Sequence, residues 1–225
     1  MSTVLEKLSI CIERGKVNKQ SPFPPDLKGE LGADELAKQA LDEGIAPEEI
    51  LNRSLMIGMR KIGDKFESGK AFIPDMLIAA KAMNAATVHL KPFFESGEVE
   101  LKGDFIIGTV AGDLHDIGKN IVRMVLTGGG WNVIDLGSDV KPEKFVETLK
   151  QYPDAFVGMS ALLTTTMMQM EGITKAIKDI SPETKVFVGG APLSQEYSNK
   201  IGADGYFPDP NQFVKHLESV VKSKV

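Results

Sequence analysis

The feature that most constrains the fold is a change in the spacing of apolar residues near residue 104. Beyond it, short apolar runs alternate strictly with amphipathic helical stretches. This alternation predicts a parallel sheet with right-handed helical crossovers, which is a doubly wound α/β fold. The predicted strands are Phe105–Val110, Asn132–Leu136, Ala155–Ser160, Lys185–Gly189 and Gly205–Phe207. The predicted helices are Gly118–Leu126, Pro142–Tyr152, Thr166–Ile180, Ser194–Ile201 and one that starts at Asn211.

The first half of the chain has a different period. Between residues 33 and 94, apolar residues such as Leu51, Leu55 and Met59 recur at helical spacing, with charged residues between them. Helices are expected to begin at Pro47 and Pro74, and together with the N-terminal stretch they predict a bundle of about four helices. Residues 15–32 and 95–104 are typical of connecting segments. We therefore expect a helical domain at residues 1–97 and an α/β domain at residues 98–225.

Composition limits the classes of partner that the chain is expected to bind. The chain has 225 residues, of which 42% are hydrophobic and 25% charged, and its net charge is -5. With no basic block, we expect neither nucleic acid nor a membrane surface as a partner. The sequence has no run of about 18 apolar residues and no cleavage-site pattern at its start, so we expect a cytoplasmic protein.

Cysteine is scarce, which limits the metal chemistry that the chain can offer. The single cysteine, Cys11, cannot form an internal disulfide. It lies at helical spacing with Leu5, Leu8 and Ile12, which predicts a buried thiol. A metal would have to be held by His, Asp and Glu or arrive with a cofactor.

Ligands of doubly wound sheets bind beyond the carboxyl ends of the strands, so the loops after the strands are the places to look for a site. The first of these loops contains Asp113-x-His115-x-x-Gly118. An imidazole can coordinate a metal through one nitrogen when a carboxylate holds the other, and either Asp113 or Asp116 could do so. Gly118 would let a ligand approach the backbone closely. Alone, the motif also fits a solvated loop histidine. His89 and His216 lie on predicted helices with no carboxylate partner that the sequence identifies, so we interpret them as surface or core residues.

Two further motifs follow at defined separations. After Gly118, 41 residues precede Ser160-Ala161-Leu162, and 26 more precede Gly189-Gly190. In type, order and spacing these motifs resemble those of the cobalamin-binding domain of methionine synthase and of the corrinoid proteins of methyltransferase systems. The stretches DLHDIGKNIV and KFESGKAFIPDMLIAAKAM also look like that family. The resemblance implies a four-helix cap followed by a cobalamin-binding domain with a Rossmann- or flavodoxin-like sheet.

The family's residue roles can be carried over where the motifs match. The resemblance makes His115 the lower ligand of cobalt, Asp113 the carboxylate behind it and Thr166 a hydroxyl partner further along. It implies a corrinoid-binding loop made of Gly112, Asp113, Leu114, His115, Asp116, Ile117 and Gly118. It also implies a slot for the cofactor's nucleotide tail, lined by Ser160, Leu162, Thr164, Gly189 and Gly190. In the cap, Phe72, Met76 and Met83 are candidates for covering the cobalt.

The function implied by the resemblance is that of a methyl carrier rather than a catalyst on its own. Its expected partners are a donor-specific methyltransferase, an acceptor methyltransferase that uses a thiol or tetrahydrofolate-type acceptor, and a reductive activase. The alternatives are a B12-dependent sensor or regulatory module and the cobalamin domain of a radical mutase. The sequence does not separate methylamines, betaines, methanol and methoxylated aromatics as methyl donors.

Overall fold

The computed structural model describes residues 3–208 and, beyond them, residues 212, 213, 216, 217 and 219, except for the side chain of Glu95. The chain divides into two compact units. The first comprises Met1–Leu101 with Gly128–Gly130, and the second comprises Lys102–Thr127 with Trp131–Val225. None of the helices within the described ranges has the length and apolar character that a membrane crossing requires.

The first unit is helical. Its α-helices are α1 (Val4–Arg14), α2 (Ala33–Asp42), α3 (Pro47–Ile50), α4 (Met56–Glu67) and α5 (Ile73–Glu95). A π-helical turn at Leu51–Leu55 joins α3 to α4, and a 3₁₀ turn at Pro25–Leu27 lies in the connector. In the described part of this unit the helices form four continuous stretches, and the predicted helical N-terminal region is confirmed.

Local chemistry fixes where these helices begin and end. The hydroxyl of Thr3 accepts the N–H of Glu6 at 3.2 Å, and the carboxylate of Glu6 accepts the N–H of Thr3 at 2.8 Å. This reciprocal cap satisfies two donors at the start of α1. Helix α1 ends at Gly15, whose φ of 71° is easy for glycine. Pro47 opens α3 and Pro74 is the second residue of α5, where a missing N–H costs little.

The apolar face of α1 is buried as predicted, with Leu5, Leu8, Cys11 and Ile12 inside the unit. Burial raises the pKa of the Cys11 thiol to about 11. Because the thiolate is the reactive form of cysteine, this thiol is inert near neutral pH. Cys11 is therefore a packing residue.

The second unit is a five-stranded parallel sheet flanked by helices. Its strands are β1 (Asp104–Thr109), β2 (Asn132–Asp135), β3 (Phe156–Ser160), β4 (Val186–Gly189) and β5 (Gly205–Tyr206). Its helices are α6 (Ile117–Gly128), α7 (Pro142–Gln151), α8 (Thr164–Met167), α9 (Gln169–Ile180) and α10 (Gln195–Lys200). The strand order is β2-β1-β3-β4-β5, which is the flavodoxin-like order and confirms the predicted fold class.

The register of the sheet places three loops side by side. Thr109 at the end of β1 pairs with Ser160 at the end of β3, and Ser160 pairs with Gly189 at the end of β4. The chain order reverses between β1 and β3, which is the switch point where ligands of doubly wound sheets bind. The loops after β1, β3 and β4 therefore begin side by side at the carboxyl edge of the sheet.

Two predicted helices differ from the structure. The predicted helix Thr166–Ile180 is two helices in the structure. The first, α8, begins earlier than predicted, at Thr164, and a turn at Met168 separates it from α9. The three successive threonines, Thr164 to Thr166, are helical within α8, so the turn comes after them. The predicted last helix is helical at Phe213 and Leu217, but its start at Asn211 lies outside the described residues. The predicted strand bounds agree with the observed ones to within about one residue, the ordinary uncertainty of strand ends.

Candidate functional site

The loop at residues 111–116 follows β1 and is held in a tight turn. The N–H of Asp113 donates to the carbonyl of Val110 at 3.1 Å. Gly112 has a φ of 81°, in the left-handed region that glycine enters without strain. With the chain bent in this way, the side chain of Asp113 is fully buried while His115, two residues on, is exposed.

Both oxygens of the buried Asp113 carboxylate accept hydrogen bonds. Oδ1 accepts from the backbone N–H of His115 at 3.0 Å and lies 2.8 Å from its ring Nδ1. Oδ2 accepts from the N–H of Leu162 at 2.7 Å and from the N–H of Leu163 at 3.3 Å. The hydroxyl of Thr166, which is itself buried, lies 2.7 Å from the same oxygen. One carboxylate thus ties the loop after β1 to the loop after β3.

These contacts decide the charge of Asp113. Burial by itself would raise the pKa of this carboxyl, because an ion is poorly solvated inside a protein. The hydrogen bonds from Leu162, Thr166 and His115 outweigh burial and hold the pKa of Asp113 well below its usual value of 3.8. The carboxylate is therefore ionised at neutral pH and can only accept hydrogen bonds.

The charge of Asp113 in turn fixes the tautomer of His115. Since the carboxylate only accepts, Nδ1 of the imidazole carries the proton and donates it. The neutral ring then has its lone pair on Nε2. The side chain of His115 is 53% exposed, so this nitrogen is accessible while Nδ1 is fixed to Asp113. The sequence left Asp113 and Asp116 as alternatives for this contact. The bond goes to Asp113, whereas the carboxylate of Asp116 accepts from the side chain of Asn120 at 2.9 Å.

The surroundings of His115 suit a flat apolar ligand. Leu114, its neighbour, is 76% exposed, and Ile117 and Leu162 are exposed as well. Apolar side chains left exposed beside a site are available to contact an apolar ligand. At Gly118, in the first turn of α6, no heavy atom lies within 4 Å of the place where a Cβ would be. The residues present fit a flat macrocycle that carries a metal in its centre.

A single imidazole suits such a metal. Within the described ranges, no group of three or more His, Cys, Asp or Glu side chains is arranged to hold a metal ion. His115 would offer a single nitrogen, which suits a metal that arrives already held by a macrocycle.

The residues predicted to line a slot lie at the same edge of the sheet. Ser160 is half-buried at the end of β3, and Thr164 is exposed at the start of α8. At Gly190, where φ is 141°, a Cβ would lie 1.7 Å from the carbonyl oxygen of Ala161, so no side chain fits. At Gly189 a Cβ would meet only the carbonyl oxygen of Phe207, at 3.7 Å. The paired glycines thus combine one position that admits only glycine with one where a Cβ would make an ordinary van der Waals contact.

The predicted cap residues lie in the first unit and differ in exposure. Phe72, just before α5, is 67% exposed, whereas Met76 and Met83 on α5 are buried. Of these three side chains, that of Phe72 is the one with a large accessible apolar surface.

Several contacts were not predicted from the sequence. The ammonium of the buried Lys119 lies 2.7 Å from both carboxylate oxygens of Asp135, which attaches the start of α6 to the end of β2. The sequence identified no carboxylate partner for His89, whereas in the structure its Nε2 lies 2.7 Å from Oδ1 of Asp34. Asp34 is on α2 and His89 on α5, 55 residues apart, so only the packing of these helices brings them together.

Comparison with known proteins identifies the ligand that this geometry fits. A B12 binding domain model matches residues 103–214, and a second B12 binding domain model matches residues 30–91. Trimethylamine corrinoid protein 1 of Methanosarcina acetivorans is 40% identical over 200 residues, which cover 87% of this chain and 92% of that protein.

Two solved structures share the fold. A cobalamin-binding protein from Desulfitobacterium hafniense matches 97% of this chain and 98% of its own, with a TM-score of 0.70 and 27% identity. The methanol:cobalamin methyltransferase complex of Methanosarcina barkeri matches 97% of this chain and 80% of its own, with a TM-score of 0.81 and 24% identity. The chain belongs to the family of B12-binding corrinoid proteins, and its cofactor is a corrinoid.

Proposed function

We propose that this protein carries methyl groups between partner enzymes of a corrinoid-dependent methyltransferase system. When bound, the corrinoid supplies a cobalt ion that accepts a methyl group and later gives it up. The relation to a trimethylamine corrinoid protein supports this role. The observation that carries the proposal is the hydrogen-bonded chain from His115 through Asp113 to Thr166, because it presents one exposed imidazole nitrogen in a fixed tautomer.

Each member of this chain has a separate task. Nε2 of His115 would hold the metal of a bound corrinoid, while Asp113 holds the proton on Nδ1 and the Thr166 hydroxyl holds Asp113. Outer partners of this kind orient a histidine ligand and raise its basicity. Because the carboxylate of Asp113 is held in place by Leu162 and Thr166, it would keep the proton on Nδ1 and leave Nε2 as the free nitrogen of the ring.

The remaining predicted residues form the surroundings of the cofactor in this proposal. Residues 98–225 are the cofactor domain, and residues 1–97 are the cap. The loop contributes Gly112, Leu114, Asp116, Ile117 and Gly118, and the slot consists of Ser160, Leu162, Thr164, Gly189 and Gly190. From the cap, the exposed ring of Phe72 is the contact residue, and the buried Met76 supports it from within α5.

The partners follow from the role of a carrier. A donor-specific methyltransferase loads the methyl group, an acceptor methyltransferase with a thiol or tetrahydrofolate-type acceptor removes it, and a reductive activase restores oxidised cobalt. The relative named for trimethylamine favours a methylated amine as the donor. This donor is tested by reducing the reconstituted protein with a chemical reductant, offering it to trimethylamine and methanol methyltransferases with their substrates, and following methylation by absorbance. Methylation with methanol alone would contradict the amine assignment.

The ligand is tested by ultraviolet–visible spectroscopy of protein reconstituted with hydroxocobalamin. Wild type is compared with His115→Ala and with His89→Gln, a control that changes another histidine paired with a carboxylate. We expect a histidine-ligated spectrum in wild type and His89→Gln and its complete loss in His115→Ala. A wild-type spectrum identical to that of His115→Ala would exclude His115 as the ligand, and a failure to retain the corrinoid would exclude the carrier role.

A further inference from the structure

Asp139 has an unusual backbone conformation close to the ligand loop. Its φ is 56°, and among the non-glycine residues of the described ranges it is the one with positive φ. Aspartate tolerates this left-handed region better than most residues, but still at a cost relative to glycine. Strained residues of this kind persist where the surrounding structure requires them, and they cluster at functional sites.

The hydrogen bonds of Asp139 show what this conformation achieves. Its Oδ1 accepts the N–H of Gly112 at 2.7 Å, and its own N–H donates to the carbonyl of Asp113 at 3.0 Å. A single residue thus holds two consecutive residues of the ligand loop, one through its side chain and one through its backbone. Both bonds reach the backbone that sets the direction of the Asp113 side chain.

The segment that carries Asp139 is itself fixed to the sheet. The N–H of Thr109 donates to the carbonyl of Gly137 at 3.0 Å, and the N–H of Val140 donates to the carbonyl of Thr109 at 2.9 Å. Val110 and Val140 also form an isolated parallel bridge. The segment after β2 therefore lies in register beside the end of β1. The hydrogen bonds of Asp139 then fix the ligand loop relative to this segment.

We propose that Asp139 is a positioning residue for the cobalt ligand: it clamps the backbone of Gly112 and Asp113 so that Asp113 meets Nδ1 of His115. The inference rests on the proposed function and adds a residue to it. Asp139 contacts only backbone in the loop, and it is exposed to solvent, which screens its charge. Its effect is therefore geometric, and an uncharged acceptor of the same shape should replace it.

Three substitutions separate the side-chain bond from the backbone strain. Asp139→Asn keeps an acceptor oxygen and tolerance of positive φ, Asp139→Gly removes the acceptor and relieves the strain, and Asp139→Ala removes the acceptor and keeps the strain. Asp154→Ala, at an exposed residue of the loop before β3, is the matched control. Thermal unfolding of all four variants measures any loss of stability independently.

The first readout needs no cofactor. Long-range ¹H–¹⁵N spectra of the apoprotein, at a pH where imidazoles are neutral, report the tautomer of each of the three histidines, with His115→Ala for assignment. We expect the Nδ1–H tautomer of His115 in wild type, Asp139→Asn and Asp154→Ala. In Asp139→Gly and Asp139→Ala we expect a mixture of tautomers, because Gly112 loses its acceptor and the backbone before Asp113 can shift, which changes how Asp113 meets Nδ1 of His115.

The second readout is the fraction of histidine-ligated cobalt after reconstitution with hydroxocobalamin. We expect about a tenfold weaker ligation equilibrium in Asp139→Gly and Asp139→Ala, at the lower end of the effect of outer partners on metal sites, and recovery in Asp139→Asn. Wild-type behaviour of Asp139→Gly in both readouts would overturn the inference. Absence of a His115-dependent spectrum in wild type would instead overturn the proposed function, while the apoprotein spectra would still test Asp139.

Discussion

Two histidine–carboxylate pairs among the described residues are alike in length and opposite in exposure. Nδ1 of His115 lies 2.8 Å from Oδ1 of Asp113, and Nε2 of His89 lies 2.7 Å from Oδ1 of Asp34. In the first pair the carboxylate is fully buried and the imidazole is 53% exposed, whereas in the second the carboxylate is 46% exposed and the imidazole 26%. In the first pair, therefore, the carboxylate is fixed inside the protein and the imidazole faces solvent. In the second pair the carboxylate is the more exposed of the two side chains.

The difference teaches that the distance within such a pair says little about its role. Asp113 also accepts the N–H groups of Leu162 and Leu163, so it cannot follow a moving imidazole. A buried charge that loses its partners is costly, which gives the Asp113 pair one defined geometry. Asp34 is half in water, where an ion pair contributes little and is screened by salt.

The largest expected effect comes from Asp113→Asn. An amide nitrogen in place of one carboxylate oxygen would face donors from Leu162, Thr166 or His115, so at least one hydrogen bond to a charged group is lost and a donor is left unpaired. We expect the free energy of unfolding to fall by about 3 kcal/mol. We also expect histidine ligation of a bound corrinoid to weaken by about 10- to 100-fold. Urea denaturation and the cobalamin spectrum measure the two effects.

The matched change in the other pair, Asp34→Asn, provides the control for this comparison. Its carboxylate is solvated, so we expect less than about 1 kcal/mol of destabilisation and no change of the cobalamin spectrum. Equal effects of Asp113→Asn and Asp34→Asn on stability would show that burial does not distinguish the two pairs.

Acid should act on the first pair in a defined direction. Because the pKa of Asp113 is lower in the folded protein than its usual value of 3.8, ionised Asp113 contributes stability above that pH and loses it as the pH falls toward the folded-state pKa. The free energy of unfolding of wild type should therefore fall more steeply below about pH 4 than that of Asp113→Asn. Urea denaturation across a pH series checks this, and parallel curves for the two proteins would contradict it.

Much of the fold could be predicted because it depends on local patterns. The alternation of apolar runs and helices after residue 104 located all five observed strands, and Pro47 and Pro74 located two helix starts. The break at Met168 was missed, since the apolar spacing of Met167 and Met170 continues across it. Periodicity reports which residues are buried, and it does not report a break in helical hydrogen bonding that is one residue long.

The contacts of the site also divide into those that the sequence could predict and those that only the structure shows. The motif residues Asp113 and His115 could be found because they stand close together in the sequence, and the comparison with a known family placed Thr166 beside them. The N–H groups of Leu162 and Leu163 carry no side-chain signal, and Asp139 reaches the loop only through the register of β1 with the segment after β2. Contacts made by backbone groups or set by strand register become visible only in the folded chain.

A smaller effect is expected at Thr166. Substitutions there test whether its hydroxyl or its methyl group holds the Asp113 carboxylate. Thr166→Val keeps the shape but removes the hydroxyl that lies 2.7 Å from Asp113, so we expect a loss of about 1 to 2 kcal/mol in unfolding free energy. Thr166→Ser keeps the hydroxyl and removes a methyl group, so we expect about 1 kcal/mol of loss without a change in the cobalamin spectrum. A weaker histidine ligation in Thr166→Ser than in Thr166→Val would show that packing, and not the hydrogen bond, holds Asp113.

The smallest effect is expected for the second pair, and a double-mutant cycle can measure it. Asp34→Asn, His89→Gln and the double variant give the coupling free energy between the two side chains. We expect about 0.2 to 1 kcal/mol, decreasing with added salt, because Asp34 is half in water. A salt-independent coupling above about 2 kcal/mol would mean that the pair is shielded from solvent as Asp113 is. The contrast in exposure between the two pairs would then no longer explain why only one of them presents a ligand.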